Sequence, residues 1–115
     1  MNESCIFCKI ASKVIPSEFL FENDDVCAFR DVNPQAPTHI LIISKKHIPT
    51  IMDIPTSHIE IVSKMFEAVQ TLAKQFEIDQ SGFRLVMNCN EDGGQSVYHI
   101  HFHLLGKRKL AWPPG

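Results

Sequence analysis

The sequence predicts an α+β fold: an antiparallel sheet of about five strands with one short N-terminal helix and one long helix packed on it. Strand-like runs recur near residues 19–31, 39–44, 83–88 and 99–105, whereas apolar residues recur at three and four over one long stretch, 56–77. The order of two early strands, a third, the long helix and two more strands suits an antiparallel sheet with its helices on one face. From Cys5 to Val14, the residues Ile6, Phe7, Ile10, Ala11 and Val14 stand close to helical spacing, and Pro16 stops that helix. Phe19–Glu22 and Val26–Asp31 are joined by Asn23-Asp24-Asp25, which is turn chemistry, so they read as a hairpin. Pro34 and Pro37 bracket a loop. After it, His39–Ser44 is a β-branched run with the length of a buried strand and neighbours on both sides. The long helix from about Thr56 to Glu77 carries Ile59, Val62, Met65, Phe66, Val69, Leu72, Ala73 and Phe76 as one stripe, with Ser57-x-x-Glu60 as a capping box. Phe83–Asn88 is a further strand, Glu91–Ser96 a glycine-bearing loop, and the segment from Tyr98 closes the core.

At 115 residues and 44% hydrophobic content there is room and material for one core, so residues 1–115 are expected to form a single domain. A net charge of −2 offers no field to hold a nucleic-acid backbone or an anionic membrane, and neither is an expected partner. The apolar runs are short, and Met1-Asn2-Glu3-Ser4 lacks the start of a signal peptide, so a soluble, cytoplasmic protein is expected. In that reducing compartment Cys5, Cys8, Cys27 and Cys89 read as thiols or metal ligands rather than disulfides. Cys27 and Cys89 read as small buried residues.

The segment Tyr98-His99-Ile100-His101-Phe102-His103-Leu104-Leu105-Gly106 is the most specific feature of the chain. Strand alternation places His99, His101 and His103 on one face and Ile100, Phe102 and Leu104 on the other. Solvent-facing strand residues would explain one such histidine better than three. A zinc held by all three would need a badly distorted strand: positions i and i+4 lie about 13 Å apart on a regular one, while zinc ligands lie within roughly 2.1 Å of the ion. A nucleophilic role fits better, because neutral imidazole is abundant near pH 7 and one ring nitrogen attacks while the other fixes the tautomer. The middle residue, His101, has an imidazole on either side. Upstream, Gly93-Gly94-Gln95-Ser96 offers backbone N–H groups and a hydroxyl suited to a phosphate, though a tight turn would use the same glycines.

The stretch from Asn88 to Gly106, with Asp31-Val32-Asn33-Pro34-Gln35-Ala36-Pro37-Thr38-His39 and the ending Trp112-Pro113-Pro114-Gly115, resembles the histidine-triad (HIT) superfamily. Within it the chain looks like the Hint branch of nucleoside phosphoramidases, and the resemblance covers essentially all residues of what would be one HIT domain. It implies that His101 attacks the α-phosphorus of a purine nucleoside phosphoramidate and forms a nucleotidyl-histidine that water cleaves, with no cofactor needed for the chemistry. His103, Asn88, Ser96 and the backbone near Gly94 and Val97 match the positions that hold the phosphate oxygens, and Ser96 is also placed to protonate the leaving amine. His39 matches a fourth active-site histidine that orients the triad. Asp31 falls where the family binds the ribose hydroxyls; a loop-capping aspartate is the alternative. Ile6, Phe7, Ile10, Phe29, Val32 and Leu41 match the apolar base pocket, and ordinary core reads equally well from the same side chains.

Cys5-Ile6-Phe7-Cys8 has the spacing of half a zinc site, with no second such pair in the chain. In HIT relatives with this pair, a structural zinc is completed by the histidine of the Lys-Lys-His segment and the first triad histidine, here His47 and His99. The family also implies a symmetric homodimer, joined through the long helix and an edge strand, with the Trp112 tail reaching toward the partner's site. Two other functions stay open: a dinucleoside polyphosphate hydrolase, and a nucleotide-binding regulatory module whose catalysis is incidental.

Overall fold

The computed structural model describes residues 4–115, so the signal-peptide reading of Met1, Asn2 and Glu3 lies outside the described residues. Five strands form one antiparallel sheet: β1 (Phe21–Glu22), β2 (Val26–Arg30), β3 (Thr38–Ser44), β4 (Phe83–Val86) and β5 (His101–Gly106). Their order is β1-β2-β3-β5-β4, with β3 paired on both sides as its sequence predicts. The β1–β2 hairpin is closed by Asn23, whose side-chain oxygen accepts from the N–H groups of Asp25 and Val26.

Alternation along the central strands decides the layering. Val26, Ala28, Ile40, Ile42, Phe102 and Leu104 pack with Met65, Ala68, Val69, Leu72 and Ala73 of the long helix α2 (Ile59–Gln75). Cys27, Phe29, Leu41 and Ile43 pack instead with Phe7, Cys8 and Ile10 of the short helix α1 (Ile6–Ala11). The two helices therefore cover opposite faces, which corrects the expectation of helices on one face. The reason lies in β2 and β3, which are apolar on both sides and need a cover for each.

Element ends differ from the sequence reading for identifiable reasons. Helix α1 stops at Ala11, before Pro16 is reached, because Lys13 takes a left-handed conformation (φ 67°) and the N–H groups of Lys13 and Val14 turn back to the carbonyls of Ile10 and Lys9. The capping box does not form: Thr56–His58 is a separate 3-10 turn, and His58 at the helix start makes no side-chain cap bond. The glycine-bearing loop contains one short turn of helix, α3 (Asn90–Gly93), closed by Gly94 at φ 77°. At the end of β5, a side chain on Gly106 would meet Ile78 Cδ1 at 2.9 Å, so any other residue there requires Ile78 to shift. Cys27 is fully buried as expected, whereas Cys89 is half-buried. Among the described residues no helix is long and apolar enough to cross a membrane.

Candidate active site and metal centre

Register brings the histidines to the α1 face of the sheet, since His101 pairs with Ile43 and His103 with Leu41. His99 lies just ahead of β5, yet the alternation holds through it: Ile100 joins the α2 core, and His99 is fully buried on the α1 side. Phe7 of α1 packs edge-on against both His99 and His101, with ring centroids 5.9 and 5.0 Å away. The rings of His101 and His103 are 5.1 Å apart.

Hydrogen bonds assign a proton to each ring. His101 Nδ1 lies 2.8 Å from the His99 carbonyl, which only accepts, so Nδ1 carries the hydrogen and Nε2 keeps its lone pair. The Gln35 N–H donates to His39 Nδ1 at 3.0 Å, which places the proton of that ring on Nε2. From there it is 2.9 Å to His103 Nδ1, which accepts and leaves the His103 hydrogen on Nε2. The middle histidine thus exposes a lone pair, while its neighbour on β5 exposes an N–H.

Burial holds these rings neutral. It lowers the pKa of His101 and His39, against the raising effects of the His99 carbonyl on His101 and of Asp31 on both. It carries His103 down to about 4, with His101 and His39 pushing the same way and Asp31 opposing. A histidine held below its ordinary 6.5 binds fewer protons folded than unfolded. Its contribution is therefore complete above 6.5 and is lost as the pH falls toward about 4. Stability is expected to drop across that window, by less than the about 1.4 kcal/mol per pH unit that one fully unscreened group would give. Denaturant midpoints measured from pH 7.5 to 4.5 test this, and His103→Gln is expected to flatten the slope.

Asp31 follows β2, and one of its carboxylate oxygens caps its own loop by accepting the Asn33 N–H at 2.8 Å. The other lies 3.4 Å from His39 Nε2. Asp31, His39 and His103 together form a carboxylate and two-histidine cluster. It does not suit a metal, because the Gln35 N–H already occupies the lone pair at His39 Nδ1, and metal at Nε2 would require a doubly deprotonated ring.

The second cluster does suit one. One ligand atom from each of Cys5, Cys8, His47 and His99 lies within 4.8 Å of the others. Cys5 Sγ and Cys8 Sγ are 3.3 and 3.5 Å from His99 Nδ1, and Cys8 Sγ is 3.2 Å from His47 Nδ1. His99 Nε2–H donates to the Ser44 carbonyl at 2.6 Å, so its Nδ1 lone pair faces the thiols. Cys5 also caps α1 by accepting the Cys8 N–H. Two sulfurs and two imidazole nitrogens are a donor set for a closed, tetrahedral structural zinc.

Of the residues matched to the base pocket, Phe7, Ile10, Phe29 and Leu41 are buried together in the α1 cluster, and Val97 packs against it. Ile6 is half-exposed and Val32 fully exposed, and both stand outside that cluster. On the phosphate side, Asn88 is half-buried after β4, Gly94 closes α3, and Ser96 is exposed beyond it. Gln95, to which sequence reasoning gave no role, fastens this loop. Its amide oxygen accepts the Asn90 N–H at 2.9 Å, and its amide nitrogen donates to the carbonyls of Pro49 and Val97 at 2.7 and 3.0 Å.

A HIT domain model matches residues 12–110. The chain belongs to the HIT family. Among HIT relatives, the purine nucleoside phosphoramidase of Escherichia coli (strain K12) is 49% identical over 111 residues, covering 96% of this chain and 93% of that one. The 14 kDa zinc-binding protein of Brassica juncea is 46% identical over 112 residues, 96% of this chain and 98% of its own. The crystal structure of a HIT family hydrolase from Legionella pneumophila Philadelphia 1 superposes with a TM-score of 0.94 at 50% identity, covering 96% of this chain and 99% of that chain.

Proposed function

We propose that this chain is a purine nucleoside phosphoramidase that works through a nucleotidyl-histidine on His101. The observation that carries the reading is the bond from His101 Nδ1 to the His99 carbonyl, which leaves Nε2 as a neutral nucleophile. In the first step Nε2 forms a bond to the α-phosphorus, the P–N bond breaks, and the amine departs with a proton supplied through Ser96. The imidazole gains positive charge as it attacks, and its Nδ1–H bond to the carbonyl strengthens to meet that charge. In the second step water attacks the same phosphorus and returns a proton through Ser96, the P–N bond to His101 breaks, and the nucleoside monophosphate leaves with the ring restored.

The other residues hold the substrate. His103 presents Nε2–H to the phosphate, with Asn88, Ser96 and the N–H groups of Gly94 and Val97 around the remaining oxygens. His39 fixes the His103 proton, Asp31 takes the ribose hydroxyls with the oxygen not used in its loop, and Ile6, Phe7, Ile10, Phe29, Val32 and Leu41 form the base slot. Cys5, Cys8, His47 and His99 would hold a zinc whose chemistry is structural, tying α1 to the segment that carries the triad. We assign a cytoplasmic homodimer. β4 is an outer strand of the sheet, and Ile59 and Phe66 on α2 and Phe83 on β4 are exposed, as a shared apolar seam requires.

The test is AMP release from adenosine 5′-phosphoramidate compared with hydrolysis of a dinucleoside polyphosphate at neutral pH. Faster turnover of the phosphoramidate is expected. Preference for the polyphosphate, or tight nucleotide binding with no turnover of either, would overturn the reading in favour of the polyphosphate hydrolase or the binding module.

A further inference from the structure

Arg108 follows β5 by two residues and reaches back to the loop ahead of β3, where its Nε–H donates to the Gln35 carbonyl at 2.8 Å. Gln35 is held twice more: its N–H donates to His39 Nδ1 at 3.0 Å, and its side-chain amide donates to the Asn33 carbonyl at 3.1 Å. A backbone N–H has no alternative tautomer, so its position dictates which nitrogen of His39 is protonated. The loop itself runs between Pro34 and Pro37 without regular secondary structure, and its residues 33–35 are exposed. Of its residues only Ala36 is buried, so packing anchors it at a single small side chain. The Arg108 guanidinium comes from 73 positions away and ties this exposed loop to the end of the strand that carries the triad.

We propose that Arg108 is a positioning residue for the histidine site: by holding Gln35 it sets the tautomer of His39 and, through it, the proton that His103 presents. The chain of bonds runs from Arg108 Nε–H to the Gln35 carbonyl, from the Gln35 N–H to His39 Nδ1, and from His39 Nε2–H to His103 Nδ1. Its effect on rate rests on the phosphoramidase reading, whereas its effect on the tautomers does not. Lys107, Arg108 and Lys109 also form a run of positive charge, which suggests a competing role for Arg108 in drawing the anionic substrate inward.

The experiment compares wild type with Arg108→Ala and Arg108→Lys, using nitrogen NMR of the histidine rings in the protein without substrate, together with steady-state kinetics. In Arg108→Ala the ring nitrogens of His39 and His103 are expected to move toward an average of two tautomers. Its kcat is expected to fall on the order of tenfold with KM little changed, within the hundredfold that an ångström-scale misplacement can cost. Arg108→Lys, which keeps a donor, is expected to recover part of both effects. Unchanged tautomer signals in Arg108→Ala would overturn the proposal whatever happens to the rate. A raised KM with unchanged kcat, suppressed by salt, would likewise overturn it and identify steering. If the wild type does not hydrolyse the phosphoramidate, the NMR comparison still decides the structural half.

Discussion

Replacing His101 by alanine is expected to lower kcat on adenosine 5′-phosphoramidate by at least about 10⁴-fold, because no other group can carry the covalent intermediate. His103 cannot substitute, since its exposed nitrogen holds a proton and its Nδ1 is occupied by His39. His101 is buried against Phe7, so alanine leaves a cavity, and His101→Asn, closer in size, provides the variant least open to a folding objection. Both variants should keep the wild-type circular dichroism spectrum and still bind AMP. Rapid quenching with mass spectrometry should find a nucleotidyl adduct on the wild type and none on either variant. A variant that is folded and retains a tenth or more of the wild-type rate would remove His101 from the mechanism.

The second large effect is expected at Cys8. Purified wild-type protein should carry one zinc per chain, and Cys8→Ala should carry none and melt more than about 10 °C lower, given the few kcal/mol that a bound structural metal contributes. Helix α1 is only six residues long and has its N-terminal cap on one of the same thiols, so its own hydrogen bonds do little to hold it. Chelator should bring the wild-type melting temperature toward that of the variant, and added zinc should restore the first and not the second. Zinc-free wild type with the melting temperature of Cys8→Ala would show that the four side chains simply pack together.

Much of this was visible in the residues. Alternation from His99 to Leu104 separates the site face from the core face, and the structure keeps that separation even though β5 begins only at His101. The Cys5 and Cys8 pair converges with His47 and His99, two partners that the family resemblance supplies and that spacing alone does not. The opposite placement of the two helices was harder to see, because a run such as Ile40–Ile43 is apolar at every position and shows no period that names a face. The supporting bonds of the site were hidden for a different reason. The Gln35 N–H and the carbonyls of Ser44 and His99 are backbone groups, which every residue type supplies, so no side-chain pattern marks them. Gln95 and Arg108 act on backbone groups from 46 and 73 positions away, a relation that only the folded chain reveals.

Along β5 and the residues before it, neighbouring positions answer to two different alphabets. Ile100, Phe102 and Leu104 meet α2 and its surroundings as volume, and another apolar side chain of similar size spells the same word. His99, His101 and His103 are each defined by which nitrogen bears a hydrogen, and no side chain of equal volume reproduces that choice. The permissive and the strict letters are interleaved one by one, so a slip of a single residue in the pairing of β5 with β3 would exchange His101, Phe102, His103 and Leu104 at once.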